Sequence, residues 1–174
     1  EEGRREAQES RVLGEGYKRQ VVDPSGLTVL ALSACDPSEM YQRMLAQQGS
    51  QNKLEIEVAD MQILLADGTE LAAEIVLRDK DLDLAFVRPK SKPATPMTAV
   101  DLARSSTVQI LDQVITLNRL NSAAGRAYAA SVERINAVIQ KPRTFYVPDS
   151  TMTSTTLGSP AFALDGNIVG VVVM

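Results

Sequence analysis

The chain has 174 residues, with 18 Lys and Arg, 22 Asp and Glu, one Cys and no His, and its net charge is −4. These 174 residues therefore contain no His-dependent catalytic set and no His-ligated metal site, and a lone thiol excludes thiolate clusters. The acidic balance argues against a nucleic-acid partner, and the apolar runs are far shorter than the roughly 18 residues that cross a bilayer.

The first third of the chain predicts a lead-in, a hairpin and a helix. Residues 1–19 are mostly charged residues and Gln, and they predict a polar lead-in segment. Strands are predicted at 21–22 and 27–32 about the turn Asp23-Pro24-Ser25-Gly26, because Pro presets the first turn angle and Gly accepts positive φ. Residues 38–48 predict one short helix, whose Met40, Tyr41 and Met44 we expect to pack on its own domain rather than on a partner.

The rest of the chain predicts strands in two groups. In the first lobe, 20–89, the apolar residues alternate, and strands are predicted at 54–58, 62–65, 71–77 and 82–87, with a hairpin turn at Asp67-Gly68. The Pro- and Lys-rich stretch 90–96 predicts a linker to a second lobe, 97–174. Strands are predicted there at 108–111, 114–117, 127–139, 143–147, 160–164 and 168–173, with a hairpin turn at 165–167. Such short strands with regular turns predict an all-β sandwich or barrel.

Three segments form a recognisable series in chain order. They are Val-Val-Asp-Pro-Ser-Gly-Leu at 21–27, Asp-Leu-Ala-Phe-Val at 83–87 with Asp67-Gly68 upstream, and Thr-Leu-Gly-Ser-Pro-Ala-Phe at 156–162. The series resembles the HtrA/Deg-type proteases, bacterial serine endopeptidases of the trypsin fold. The resemblance covers roughly residues 21–172 and implies a trypsin-like double β-barrel with one short helix in the first barrel.

The resemblance also assigns positions to the catalytic residues. It places the catalytic His at Ser33, the orienting Asp at Asp83 and the nucleophilic Ser at Leu157. An orienting carboxylate without an imidazole cannot activate a hydroxyl, so we expect an inactive homologue. The resemblance implies a peptide- or protein-binding or scaffolding domain that uses no cofactor, with an extended peptide or a protein as its partner and a periplasmic or secreted location. The expected binding segment comprises Thr155, Thr156, Leu157, Gly158 and Ser159.

Two other functions stay open at this point. One is a serine endopeptidase that uses Ser159, or Ser33, with an unrecognised base, although no Lys or His lies at a fixed offset from Ser159. The other is a purely structural domain of a longer envelope protein. Asp79, Asp81 and Asp83 alternate, but without the further oxygen ligands of a calcium loop they predict no metal site. We expect Asp83 to accept hydrogen bonds from backbone N–H groups or from the Ser33 hydroxyl.

Overall fold

The computed structural model describes residues 20–36, 38–47, 61–65, 67–120, 122–149 and 157–173. In these ranges the chain forms two five-stranded antiparallel sheets, each curled into a half-barrel, and a few short helices. The predicted all-β, double-barrel fold is confirmed. No helix in the described ranges has the length and apolar character needed to span a membrane.

The first sheet contains the strands of the first half of the chain in the order β1-β2-β5-β4-β3. Its elements are β1 (Gln20–Val21), β2 (Thr28–Ala31), α1 (Leu32–Cys35), α2 (Ser38–Gln47), β3 (Met61–Leu64), β4 (Glu70–Asp79) and β5 (Leu84–Pro89). The first predicted hairpin is confirmed, since β1 pairs with β2 and the Gly26 N–H donates to the Asp23 carbonyl at 2.9 Å. Gly26 has φ +95°, and a Cβ there would lie 2.8 Å from Pro89 Cγ, so this turn requires glycine.

The second sheet has the order β10-β9-β6-β7-β8. Its elements are β6 (Gln113–Arg119), a 3-10 helix (Ser122–Ala124), β7 (Tyr128–Ile139), β8 (Phe145–Pro148), β9 (Pro160–Ala163) and β10 (Ile168–Val171). The predicted turn at 165–167 is confirmed, because the Ala163 N–H donates to the Asn167 carbonyl at 2.9 Å and Gly166 adopts φ +81°. The turn at Asp67-Gly68 is confirmed in the same way between β3 and β4.

The predicted strand at 108–111 is wrong, because these residues form a turn that leads into β6. The carboxylate of Asp112 accepts the Gln109 N–H at 2.8 Å, and the Asp112 N–H donates back to the Gln109 carbonyl at 3.1 Å. Leu111 takes a positive φ of 74° and donates its N–H to the Ile135 carbonyl. The local side-chain bond from Asp112 thus overrides the β preference of the apolar run. The predicted strand at 54–58 lies outside the described residues.

The helices depart from the predictions in two ways. The predicted strand at 27–32 is one residue too long, because Leu32 begins α1, a four-residue helix that the sequence pattern does not indicate. The predicted helix at 38–48 is confirmed as α2, but Tyr41 is 40% exposed and Met44 is 51% exposed, so the expectation that they pack on their own domain is wrong. The main contact of α2 is with its chain neighbour α1, which leaves these two side chains facing solvent. The Met40 side chain lies outside the described part.

Each sheet encloses its own apolar cluster. The first contains Leu30, Leu32, Cys35, Met61, Ile63, Ala73, Ala85 and Val87, and the second contains Val108, Val114 and Ile135. Residues 97–100 run back along β1, where the Met97 N–H donates to the Pro24 carbonyl at 3.0 Å and the Val100 N–H to the Val21 carbonyl at 2.9 Å. The lobe limits 20–89, 90–96 and 97–174 stay predictions.

Candidate functional site

The first candidate residues, Ser33 and Asp83, lie where β2 and β5 end side by side. Ala31 pairs with Leu84, so the chain leaves β2 into α1 beside the point where it enters β5. Asp83 closes the turn before β5 with φ +53°, a left-handed conformation that Asp tolerates better than most residues. The preceding turn is fixed by Asp79, whose carboxylate accepts the Leu82 N–H at 3.0 Å.

Asp83 binds the first turn of α1 through three oxygens. Its main-chain carbonyl accepts the Leu32 N–H at 2.8 Å. Its Oδ1 accepts the Ser33 N–H at 2.7 Å, and its Oδ2 accepts the Ser33 hydroxyl at 2.8 Å. The expectation that Asp83 accepts hydrogen bonds from backbone N–H groups or from the Ser33 hydroxyl is confirmed, since it accepts both kinds. Since the first N–H groups of a helix have no partner within the helix, this carboxylate supplies one.

The nearby Cys35 thiol is not a substitute nucleophile. Cys35 is buried, and its Sγ lies 3.4 Å from the Leu32 carbonyl. Burial, followed by the charge of the adjacent Asp36, raises the pKa of this thiol to about 11. Because the thiolate is the reactive form, the group is protonated and inert at neutral pH.

The second candidate group, at 157–159, is held against the chain just after β10. The Gly158 N–H donates to the Val172 carbonyl at 2.8 Å, and the Val172 N–H donates to the Ser159 carbonyl at 2.9 Å. Gly158 has φ +78°, and Leu157 is 9% exposed. The structure thus places an aliphatic side chain, packed and nearly buried, where the resemblance puts the nucleophile. Thr155 and Thr156 lie outside the described residues.

Ser159 is fully buried, with 0% of its surface exposed. Its Oγ makes no hydrogen bond within the ranges that the structure describes. A nucleophilic hydroxyl needs a base within hydrogen-bond reach and access for the substrate. The described residues give this hydroxyl neither.

Among the described strands, β10 is an edge strand of the second sheet. Near Ile168 it is covered, because the Ser106 N–H donates to the Ile168 carbonyl at 2.9 Å and the Ile168 N–H donates to the Arg104 carbonyl at 3.1 Å. Farther along, Val172 bonds inward to residues 158–159. Because bonding alternates along an extended chain, we expect Val171, and Val173 just beyond the end of β10, to turn their N–H and C=O groups outward. No described strand pairs with that side of β10.

The acidic residues near the first site have structural partners. Asp79 caps its own turn, and Asp36 forms an ion pair with Arg78, with Nε and Oδ2 separated by 3.4 Å. Among the described residues no group of three or more Cys, Asp or Glu side chains is arranged to hold a metal ion.

Reasoning from the sequence missed the edge of β10 and the burial of Ser159. The run Val171-Val172-Val173 signals a strand but not which of its sides lacks a neighbour, since that depends on sheet order. The flanking Gly158 and Pro160 indicate a turn, and turns are usually exposed. The burial of Ser159 arises from its pairing with Val172, a long-range contact with no local sequence signal.

Comparisons with known proteins give one family and a set of similar folds. A model of the trypsin-like peptidase domain matches residues 21–171. The MamO protease domain of Magnetospirillum magneticum, solved in its apo form, is 15% identical with a TM-score of 0.61, and the match covers 88% of this chain and 73% of that one. The HtrA-type protease AlgW, solved with a decapeptide, is 18% identical with a TM-score of 0.61. That match covers 90% of this chain but 42% of AlgW, so this chain spans less than half of that protein. No curated protein sequence matches significantly.

Proposed function

We propose that this chain, which belongs to the trypsin-like peptidase domain family, is a catalytically inactive member that binds an extended segment of a peptide or protein. One observation carries the proposal: Ser33 engages both carboxylate oxygens of Asp83, one through its N–H and one through its hydroxyl. In a working triad, one of these oxygens orients an imidazole. Here the carboxylate anchors a helix, and the 174 residues contain no imidazole.

The nucleophile's surroundings support the same proposal. Leu157 has no attacking atom, the Ser159 hydroxyl is buried without a described base, and the Cys35 thiol is protonated at neutral pH. Loss of the base and the nucleophile together costs roughly six orders of magnitude in turnover. We therefore expect no measurable peptidase activity, and no observation favours the alternative of a serine endopeptidase acting through Ser159.

The edge of β10 is the proposed binding surface. An extended peptide adds to an open edge through backbone hydrogen bonds, a mode that needs no nucleophile. Val171 and Val173 supply N–H and C=O groups on that side, and the neighbouring strand β9 begins directly after the segment 155–159. We propose that the segment of Thr155, Thr156, Leu157, Gly158 and Ser159 borders the bound peptide; because Leu157 and Ser159 are buried, they would support the site rather than touch the peptide with their side chains. The AlgW structure, which contains a decapeptide, supports a peptide as the ligand class.

The proposed setting follows the family resemblance. A periplasmic or secreted location is proposed because the chain resembles HtrA-type proteases, which usually work outside the cytoplasm. A purely structural role in a longer envelope protein is the competing proposal. It differs in one measurable respect, because a structural domain would bind no peptide at the β10 edge.

Catalysis is tested with the purified chain, a fluorophosphonate probe and casein. We expect neither covalent labelling nor casein cleavage, with a trypsin sample as the positive control. Labelling that maps to Ser159 or Ser33 by mass spectrometry, and that disappears in the corresponding Ser→Ala variant, would overturn the inactive assignment.

Binding is tested with decapeptides selected from a phage-displayed library and titrated by fluorescence anisotropy. Val173→Pro removes one outward N–H of the open edge and no inward bond, whereas Val173→Ile preserves the N–H and serves as the matched control. We expect Val173→Pro to weaken binding about tenfold, as for the loss of a backbone hydrogen bond at an interface. Equal affinity for both variants would exclude the β10 edge, and failure to select any peptide would favour a structural domain.

A further inference from the structure

The outward face of the β6–β7 ribbon is apolar and exposed. Pairing places Ile115 opposite Val132, and Leu117 opposite Ala130. The alternate residues Val114 and Thr116 of β6 point inward and are buried, and those of β7, from Ala129 to Glu133, are half-buried. The outward set includes Tyr128 at 77% exposure, Val132 at 61% and Leu117 at 46%. Together these side chains expose on the order of 400 Å² of mostly apolar surface, the size of the largest apolar patch on a typical monomer, which is often functional.

A cationic residue borders this face at each end. Arg119 pairs with Tyr128 and stacks on its ring, with 5.2 Å between the guanidinium carbon and the ring centroid. Arg134 pairs with Gln113 at the other end. The two ends lie six residue steps apart along β6, which corresponds to about 20 Å. No outward residue of the paired segments 113–119 and 128–134 is acidic, although the chain as a whole carries a net charge of −4.

The position of the face in the sheet limits what it can bind. Strands β6 and β7 are interior, with β9 and β8 as their outer neighbours, so no further strand can add beside them. An occupant must pack on the face through side chains, and a helix laid on a sheet is the usual solution. A second copy of this chain, placed face to face, would bring apolar surfaces together but would confront arginines with arginines.

We infer that this face, defined as Ile115, Leu117, Tyr128, Ala130 and Val132 between Arg119 and Arg134, docks an amphipathic α-helix of a partner protein with carboxylates near both of its ends. A 20 Å span corresponds to about 14 helical residues. The apolar stripe of that helix covers the aliphatic residues, and its carboxylates meet the two guanidinium groups. This surface lies on β6 and β7, so the inference does not depend on the proposed peptide site at β10.

The test uses two fluorescein-labelled 18-residue helical peptides that share a Leu stripe and differ in carrying Glu or Lys at both ends. We expect the Glu peptide to bind about tenfold more tightly than the Lys peptide, since two rim charges change from attraction to repulsion. The preference should shrink at 1 M salt, where the Debye length is about 3 Å. In Arg134→Glu each peptide meets one attractive and one repulsive end, so the preference for the Glu peptide should disappear. The main-chain bonds of residue 134 do not involve the guanidinium: its N–H donates to Asp149 Oδ1 at 3.1 Å and its carbonyl accepts the Asp149 N–H at 2.8 Å.

The apolar contacts are tested with the double variant Leu117→Thr, Val132→Thr, which keeps strand-compatible side chains. We expect it to bind the Glu peptide about tenfold more weakly than the parent. Leu102→Thr, at a leucine that is 55% exposed outside the face, is the matched control and should bind as the parent does. Circular dichroism melts establish that every variant is folded.

Three results would overturn the inference. They are no binding of the Glu peptide, equal binding of both peptides, and equal losses in the face variant and in Leu102→Thr. Self-association in sedimentation that disappears in the face variant would instead assign the face to a second copy of the chain, contrary to the proposal.

Discussion

The contact between Ser33 and Asp83 gives a sharp test of whether this pair stabilises the fold or takes part in catalysis. Ser33→Ala removes the hydroxyl that donates to Oδ2 at 2.8 Å but keeps the N–H that donates to Oδ1 at 2.7 Å. Asp83→Asn leaves one side-chain oxygen to serve two donors. Hydrogen bonds to charged groups contribute about 1.5–3 kcal/mol, and both residues are half-buried, which favours the lower end of that range.

We therefore expect Ser33→Ala to lower the free energy of unfolding by about 1.5 kcal/mol and Asp83→Asn by about 2 kcal/mol. For a domain of this length, each kcal/mol lowers the Tm by about 2–4 °C. The assay is urea unfolding followed by circular dichroism, with Ser33→Ala, Asp83→Asn and the double variant forming a cycle. The double variant should show a coupling of about 1 kcal/mol, as expected for groups in direct contact. Ser91→Ala, at an exposed serine, is the control and should leave stability unchanged.

Two results would refute this reasoning. Additive effects of the two substitutions would show that the hydroxyl and the carboxylate do not stabilise one another. A variant that keeps the parent's stability but loses a measurable peptidase activity would show that the pair serves catalysis instead.

Three further outcomes are expected. Leu111 has φ +74° and is 65% exposed, so Leu111→Asn should raise the free energy of unfolding by about 1 kcal/mol through relief of backbone strain; an unchanged or lower value in urea unfolding would contradict this. The pKa of Cys35 is raised from 9.0 to about 11 in the folded state. The protonated thiol therefore makes its full contribution to the free energy of unfolding below pH 9, and that contribution is lost as the pH rises through 11. The stability advantage of the parent over Cys35→Ala should shrink across that interval. A pH-independent advantage, or rapid reaction of the native thiol with Ellman's reagent at pH 7, would refute that assignment. Ser159→Ala should raise stability by about 1 kcal/mol in thermal or urea unfolding, because it removes a buried hydroxyl without a described partner, and a loss of more than about 1 kcal/mol would show that the hydroxyl is satisfied.

The elements predicted well from the sequence are those with strong local signals. The turns at Gly26, Gly68 and Gly166 each use a positive φ that glycine adopts without strain, so a hairpin could be read from the turn residues themselves. The strands on either side of these turns could then be predicted from their alternating apolar residues. The turn at 109–112 was missed because Ile110 and Leu111 continue an apolar run, while the deciding bond comes from the Asp112 side chain.

The predictions for the candidate site also succeeded or failed according to whether a local signal was present. The contact of Asp83 with Ser33 could be predicted because the resemblance places both positions at one site and a half-buried carboxylate needs hydrogen-bond donors, and the structure supplies those donors. The burial of Ser159 and the open side of β10 could not be predicted, because each depends on how residues 158–159 meet Val172. Sheet order and burial are set by such long-range pairings, which a single sequence does not specify.

The bonding of Asp83 also explains how the scaffold tolerates a serine at position 33. Two of the three bonds to Asp83 come from backbone N–H groups, those of Leu32 and Ser33, and they form whatever side chain stands at position 33. An apolar residue at position 33 would remove the hydroxyl bond to Oδ2 of this half-buried carboxylate, at a cost of about 1–3 kcal/mol. A serine hydroxyl is short enough to reach that oxygen from the first turn of α1, and it does so at 2.8 Å. An imidazole is therefore dispensable for the fold at this position, whereas a hydrogen-bond donor is not, and Ser33→Thr should retain the stability that Ser33→Ala loses.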